Sequence, residues 1–147
     1  MKTIAEGKQH LRINFKEGTD CPCCGKYVKA YKRKLNSGIA RSLIIMNQLN
    51  AFNGIHIHIQ DEFAKLKLRA TTMDYAYAEK WKLIKADPDN NGYWTLTTLG
   101  KSFVLNQAVL PDYCLVYNGK VYSWSKSFID IEHALTTSFD YNELMNL

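Results

Sequence analysis

No uninterrupted apolar run in this chain approaches the roughly 20 residues that a membrane-spanning helix needs. The opening stretch, MKTIAEGKQHLRINF, lacks the apolar centre of a secretion signal, so a cytoplasmic location is expected. Cysteine is scarce, and three of the four crowd into positions 21–24, which is no disulfide framework. A phosphate-binding Gly loop, an H-E-x-x-H pair and a nucleophile elbow are all missing, so catalysis is not expected. Asp130, Glu132 and His133 stand together, but at the start of a short predicted helix, where acids suit the helix dipole without any chemistry. Repeats and low-complexity linkers are absent as well. With 46% hydrophobic and 22% charged residues, the chain reads as globular.

The most informative absence is that of acid. Residues 21–60 hold Lys26, Lys29, Lys32, Arg33, Lys34 and Arg41, with no Asp or Glu among them. Residues 102–147 reverse the balance, with Lys120 and Lys126 against five acids. A net charge of +5 is therefore concentrated rather than spread. An acid-free basic block is the electrostatic footprint of a polyanion ligand, although it also serves as a solvated face.

Periodicity supplies the elements. Leu11, Ile13 and Phe15 alternate with polar residues and predict a strand over 10–15. CPCCGK is a tight knuckle, and YVKAYKRKL predicts a strand with Tyr27, Lys29, Tyr31 and Arg33 on one face. Asn36 or Ser37 caps a helix with Ile39, Leu43 and Met46 inward, closed by Asn53-Gly54. IHIHI predicts a strand, and Gln60 or Asp61 starts a second helix with Phe63, Ala64 and Leu66 inside. Thr71 or Thr72 caps a third, with Met73, Tyr77 and Trp81 repeating at i+4. Strand 82–86 turns through DPDNNG into Tyr93–Thr97, and Thr97 or Thr98 caps a further helix. Asn118-Gly119 between apolar runs predicts a hairpin over 113–124. Short helices follow, with Asp140 capping the last.

This order resembles a winged helix-turn-helix domain over about residues 38–106. Trp94, Leu96, Thr97, Gly100 and Phe103 are similar to the wing of winged-helix regulators, where an aromatic, Leu-Thr, Gly and Phe recur at this spacing. A Gly commonly precedes the Leu-Ile pair in that pattern; here it is Lys82. The whole chain also resembles small proteins encoded by phages and prophages, which pair a CPxCG knuckle and a basic stretch with a winged helix. The resemblance implies an α+β fold in three segments. These are an arm, knuckle and basic strand (1–36), a winged helix (37–108), and a C-terminal hairpin with short helices packed on the core (109–147).

A winged helix implies that the third helix enters a major groove, which nominates Thr71, Thr72 and Tyr75, with Lys65, Lys67 and Arg69 on the backbone. Asp74, Glu79 and the wing tip, with two acids and no base, oppose that use. Lys26, Lys29, Lys32, Arg33 and Arg41 are a second set of phosphate ligands, of salt-sensitive and largely sequence-independent affinity. Tyr27 and Tyr31 among them also suit unpaired bases. Duplex DNA is the expected partner; a host protein bound by the winged helix, and a homodimer through exposed C-terminal aromatics, are the alternatives.

Cys21 and Cys24 have the spacing with which two thiolates bite one zinc ion. CPCCGK resembles a zinc-ribbon knuckle, but no second C-x-x-C exists. His10 is the candidate third ligand, if strand 10–15 pairs with the basic strand. A knuckle without metal, a turn with buried thiols, is the competing expectation, and a redox C-x-x-C is a further alternative that wants a βαβ context absent here. His56 and His58 would share a strand face as a possible chelate, or simply a solvated one.

Overall fold

A capping box decides the first element. The Thr3 hydroxyl accepts from the Glu6 N–H at 3.1 Å, and the Glu6 carboxylate accepts from the Thr3 N–H at 3.4 Å. That pair starts a helix. In this computed structural model, which describes residues 3–67 and 73–147, helix α1 spans Ile4–Asn14 where alternation predicts a strand. Leu11 and Phe15, four apart, are half-buried, whereas Ile13 is 68% exposed. The i, i+4 relation, not the alternation, is the structural one.

The described residues build a mixed α and β chain. After α1 come β1 (Thr19–Asp20), β2 (Tyr27–Val28), β3 (Tyr31–Lys34), α2 (Ser37–Gln48), β4 (Ile57–His58) and α3 (Ile59–Lys65). A 3₁₀ helix, Met73–Trp81, leads to β5 (Ile84–Ala86), β6 (Tyr93–Leu96) and α4 (Thr98–Val104). The rest is β7 (Leu110–Pro111), β8 (Tyr113–Tyr117), β9 (Lys120–Trp124), β10 (Phe128–Ile129), α5 (Ile131–Leu135) and α6 (Tyr141–Met145). Arg69, Thr71 and Thr72 lie outside the described residues.

Two compact units result, and they cut across the expected segments. The first joins Met1–Lys34 to Tyr113–Ser125; the second joins Leu35–Asp112 to Lys126–Leu147. Strand pairing is the cause. β3 runs antiparallel to β8 from Tyr31 opposite Val116 to Lys34 opposite Tyr113, so the C-terminal hairpin belongs with the N-terminal arm. β9 completes that sheet with a bulge beside Leu115 and Val116.

In the first unit the basic strand is broken. β2 pairs with β1 around the knuckle, β3 pairs with β8, and Lys29-Ala30 lies between them. The Ala30 N–H donates to the Phe15 carbonyl at 2.8 Å instead of continuing a ladder. Phe15 packs at a tilt against Tyr117 and edge-to-face against Tyr122, with ring centroids 4.6 and 5.1 Å away. Gly7 of α1 faces the Cys23 sulfur so closely that a Cβ there would lie 2.5 Å from it.

The second unit is built on α2. Asn36 caps it, its side chain accepting from the Ile39 N–H at 2.9 Å. Ile39, Leu43, Ile44, Ile45 and Met46 are all buried. Each such side chain contributes about 1.5–3 kcal/mol of transfer free energy. The helix ends before Asn53-Gly54, at Leu49, with Asn50 taking the left-handed conformation (φ 59°). α2 packs against the 3₁₀ helix, α4, α5, α6 and β6. The predicted IHIHI strand shortens to Ile57–His58, because the His58 ring accepts the Asp61 N–H at 3.2 Å and caps α3. In α3 Phe63 is buried as expected, while Ala64 and Leu66 are exposed.

The third predicted helix is a 3₁₀ helix, so its buried face repeats at i+3: Tyr75, Ala78 and Trp81. β4, β6 and β5 form one antiparallel sheet in that order. Thr97 accepts from the Gly100 N–H at 3.1 Å and starts α4.

Lys82 turns the chain between the 3₁₀ helix and β5 with φ 58°. Its carbonyl accepts the Thr97 hydroxyl at 2.6 Å, which pins the turn. A side chain in the left-handed region costs roughly 1 kcal/mol relative to Gly. Lys82→Gly is therefore expected to stabilise the second unit by about 0.5–1 kcal/mol, read as a higher urea midpoint at unchanged slope. An unchanged or lower midpoint would refute the reading of this turn.

Candidate nucleic-acid interface

Charge and fold coincide in the first unit. Met1–Lys34 and Tyr113–Ser125 contain ten Lys and Arg against three Asp and Glu, a net +7. The second unit holds nine against eleven, a net −2, which together give the chain's +5. The three acids, Glu6, Glu17 and Asp20, all precede the knuckle; from Cys21 to Lys34 and throughout the hairpin there is none.

Of the predicted phosphate ligands, Lys26, Lys29 and Lys32 are exposed and Arg33 is half-buried, all in this unit. The Lys32 ammonium lies 4.2 Å from the Tyr113 ring centre, and the Arg33 guanidinium 5.9 Å from that of Tyr31. Tyr27 and Tyr31 are 55% and 51% exposed. Arg41 belongs to the second unit instead, its guanidinium 4.9 Å from the Phe139 ring centre. It is not part of this group.

Sequence reasoning missed Lys8, Arg12, Lys16 and Lys120. Read as a helix, Lys8 and Arg12 stand four apart on one face of α1, and Lys16 follows at the same interval. Thr3-x-x-Glu6 is the signal that could have found them, because it announces the helix. Lys16 sits 5.8 Å from the Tyr122 ring centre. A cavity of about 200 Å³ is lined by Lys8, Leu11, Arg12, Phe15 and Tyr117. A second, of about 400 Å³, is lined among others by Lys26, Tyr27, Lys29, Tyr31 and the same Leu11 and Tyr117.

The groove-reading set fares differently. Tyr75, expected to face a groove, is 5% exposed and sets its ring edge-on to Trp94, 6.3 Å away. Burial of an i+3 face in a 3₁₀ helix turns it inward. Lys65 pairs with Glu62 at 3.0 Å, and that partner raises its pKa above the usual lysine value. Lys67 is exposed. At the β5–β6 turn the Asp89 N–H and the Asn90 amide donate to Asp87 at 2.9 and 3.1 Å, holding its carboxyl below the usual range and hence ionised.

The knuckle is a hairpin turn between β1 and β2. The Gly25 N–H donates to the Cys21 carbonyl at 2.8 Å, and the Cys21 N–H donates to Lys26 at 2.7 Å. Gly25 has φ 77°, which a side chain would resist. The backbone N–H of Cys24, and then that of Cys23, donates to the Cys21 sulfur and lowers its pKa from the ordinary thiol value. This favours thiolate, the form that ligates metal.

Two thiolates are half of a structural zinc ligand set. Among the described residues no group of three or more His, Cys, Asp or Glu is placed to hold a metal. Residues 1–2 and 68–72 contain none of these types. His10 is not brought to the cysteines, because α1 is a helix and its Nε2 bonds the Thr19 hydroxyl at 2.9 Å. Among the described residues, therefore, no third or fourth side-chain ligand stands with Cys21 and Cys24. His56 and His58 form no chelate with a third ligand either; His56 meets the Gly54 carbonyl and His58 meets Asp61.

In chelator-treated protein near neutral pH, Cys21 is expected to alkylate ahead of Cys23 and Cys24, with the fully buried Cys114 unreacted until unfolding. Timed iodoacetamide labelling with peptide mass mapping checks this, and equal rates at all three knuckle thiols would refute the thiolate bias.

No family model matches this chain, and no curated protein or solved structure matches it either.

Proposed function

We propose that this protein binds nucleic acid through its first unit and that its second unit is a winged-helix body. The segregation of charge carries the first half: net +7 on one unit, without an acid beyond Asp20, against net −2 on the other. Cations in a patch release condensed counterions from phosphate, so affinity is salt-sensitive and largely sequence-independent.

The winged-helix reading rests on order and packing. α2, β4, α3, the 3₁₀ helix and the β5–β6 hairpin follow one another, with β4 paired to β6. Thr97 caps α4, and Phe103 fills the core. The contact elements of this body oppose groove reading, since Tyr75 is buried, Asp87 is ionised and Lys65 is paired. We therefore assign the grip to the first unit.

The test is fluorescence anisotropy with random duplex and single-stranded oligonucleotides across salt. Binding at about micromolar level at low salt, weakening more than about tenfold between 50 and 200 mM, supports this function. No binding at low salt overturns it. A second reading then applies, in which the second unit docks on a host protein; its ionised wing and its exposed Ile55, Leu66 and Leu99 favour that use.

A further inference from the structure

The two cavities of the first unit adjoin at Leu11 and Tyr117, which line both, and we take them together as one groove. Lys8 and Arg12 of α1 line the first; Lys26 and Lys29 line the second. Rings line them too: Phe15 and Tyr117, tilted against each other, and Tyr27 and Tyr31, each about half exposed. Asp20, opposite Tyr27 in the β1–β2 pair, does not line either cavity. The two linings hold cations and aromatic rings and no carboxylate, with the Cys21 and Cys24 thiols beside Lys26 in the second.

Duplex DNA makes poor use of such a surface. Its bases are stacked on one another, so it offers phosphates to the lysines and nothing to the tyrosines. A single strand offers both, because each unpaired base has a free face for a ring while the backbone tracks the cations. We propose that this groove binds single-stranded nucleic acid, with bases stacking on Tyr27 and Tyr31 and phosphates meeting Lys29, Lys26 and Arg12. The inference rests on the nucleic-acid reading above and narrows it from duplex to unpaired strands. DNA and RNA share this chemistry, and the groove is accordingly expected to take both.

The test measures the full chain by anisotropy against oligo(dT), oligo(U) and a blunt duplex of equal length at one fixed salt. Single strands are expected to bind at least about tenfold tighter than duplex. Tyr27→Leu with Tyr31→Leu is expected to weaken oligo(dT) and oligo(U) about tenfold or more and to leave duplex affinity unchanged. Tyr27→Phe with Tyr31→Phe keeps both rings and is expected to keep the affinity. Since Tyr27 also packs on Gly18, photo-crosslinking of a 5-bromouracil oligonucleotide to the unmodified protein provides an independent readout, with label expected on Tyr27 or Tyr31. Equal or tighter duplex binding, or label confined to other residues, would overturn the inference while leaving nucleic-acid binding in place. Failure to bind any of the three at low salt would instead remove the reading on which it rests.

Discussion

Arg12→Ala, Lys26→Ala and Lys29→Ala in one chain are expected to weaken nucleic-acid binding at least about tenfold at low salt and to flatten its salt dependence. Each lost phosphate contact reduces the slope of log K against log salt by about 0.7 for a single strand and about 0.9 for a duplex. Three losses therefore lower it by about 2–3. Arg12, Lys26 and Lys29 are all exposed. The variant should melt close to the parent, within a few degrees. Lys65→Ala with Lys67→Ala is the matched control, since those cations lie on the second unit and Lys65 is already paired. Anisotropy at four or five salt concentrations checks both. Unchanged affinity in the triple variant, or an equal loss in the control, would sink the assignment of the grip to the first unit.

Gly100→Ala is expected to destabilise the second unit by about 2–3 kcal/mol, against the rule for helices. In an exposed helix Ala is better than Gly by about 1 kcal/mol. Here a Cβ at residue 100 would lie 2.1 Å from the Leu83 carbonyl oxygen and 3.2 Å from a Leu96 methyl. The oxygen is backbone and cannot swing away. It also accepts the Thr97 N–H at 3.0 Å, the bond that ties the start of α4 to β5. Adding one methyl pushes α4 off the hairpin and disturbs Phe103 and Val104, both fully buried on that helix. Thr98→Ala, exposed on the same helix, is the control and should change stability by less than about 0.5 kcal/mol. Urea unfolding of the three proteins decides it: a Gly100→Ala protein as stable as the parent would mean that α4 does not sit against Leu83 as described. The spacing Trp94, Leu96, Thr97, Gly100, Phe103 thereby acquires a physical content, with a core strand, a cap, a close approach and a core ring in turn.

Local chemistry was legible wherever a few adjacent residues settle it. Asn36 and Thr97 cap the helices they were expected to cap, and Asp140 caps the last. The turns at DPDNNG and Asn118-Gly119 close the two hairpins. The apolar stripe of α2 lies in the core. The errors came where two local patterns competed. Residues 10–15 satisfy both an alternating and an i, i+4 template, and Thr3 with Glu6, seven residues upstream, decides for helix. Tyr27 to Lys34 alternate well enough for one strand, but the chain has two different partners to serve. The 73–81 segment has apolar residues at both i+3 and i+4, and the 3₁₀ geometry selects Tyr75 over Tyr77 for burial.

By itself the sequence determined which segments are helix starts and hairpin turns, that one stretch of forty residues has no acid, and that Cys21 and Cys24 share a knuckle. Those properties depend on neighbours along the chain. Tertiary structure alone decided that the C-terminal hairpin joins the N-terminal arm, because Tyr31–Lys34 and Tyr113–Tyr117 pair across about eighty residues of intervening chain. That pairing transfers an acid-free hairpin to the basic side, and it leaves the acids of the C-terminal third on the other unit. It also sets Tyr117 beside Leu11 and Phe15, making a groove from residues that the sequence keeps about a hundred positions apart. Backbone hydrogen bonds carry almost no sequence signal of their own, so which strand edge meets which is settled by what the whole chain can bury, and the candidate site follows from that choice.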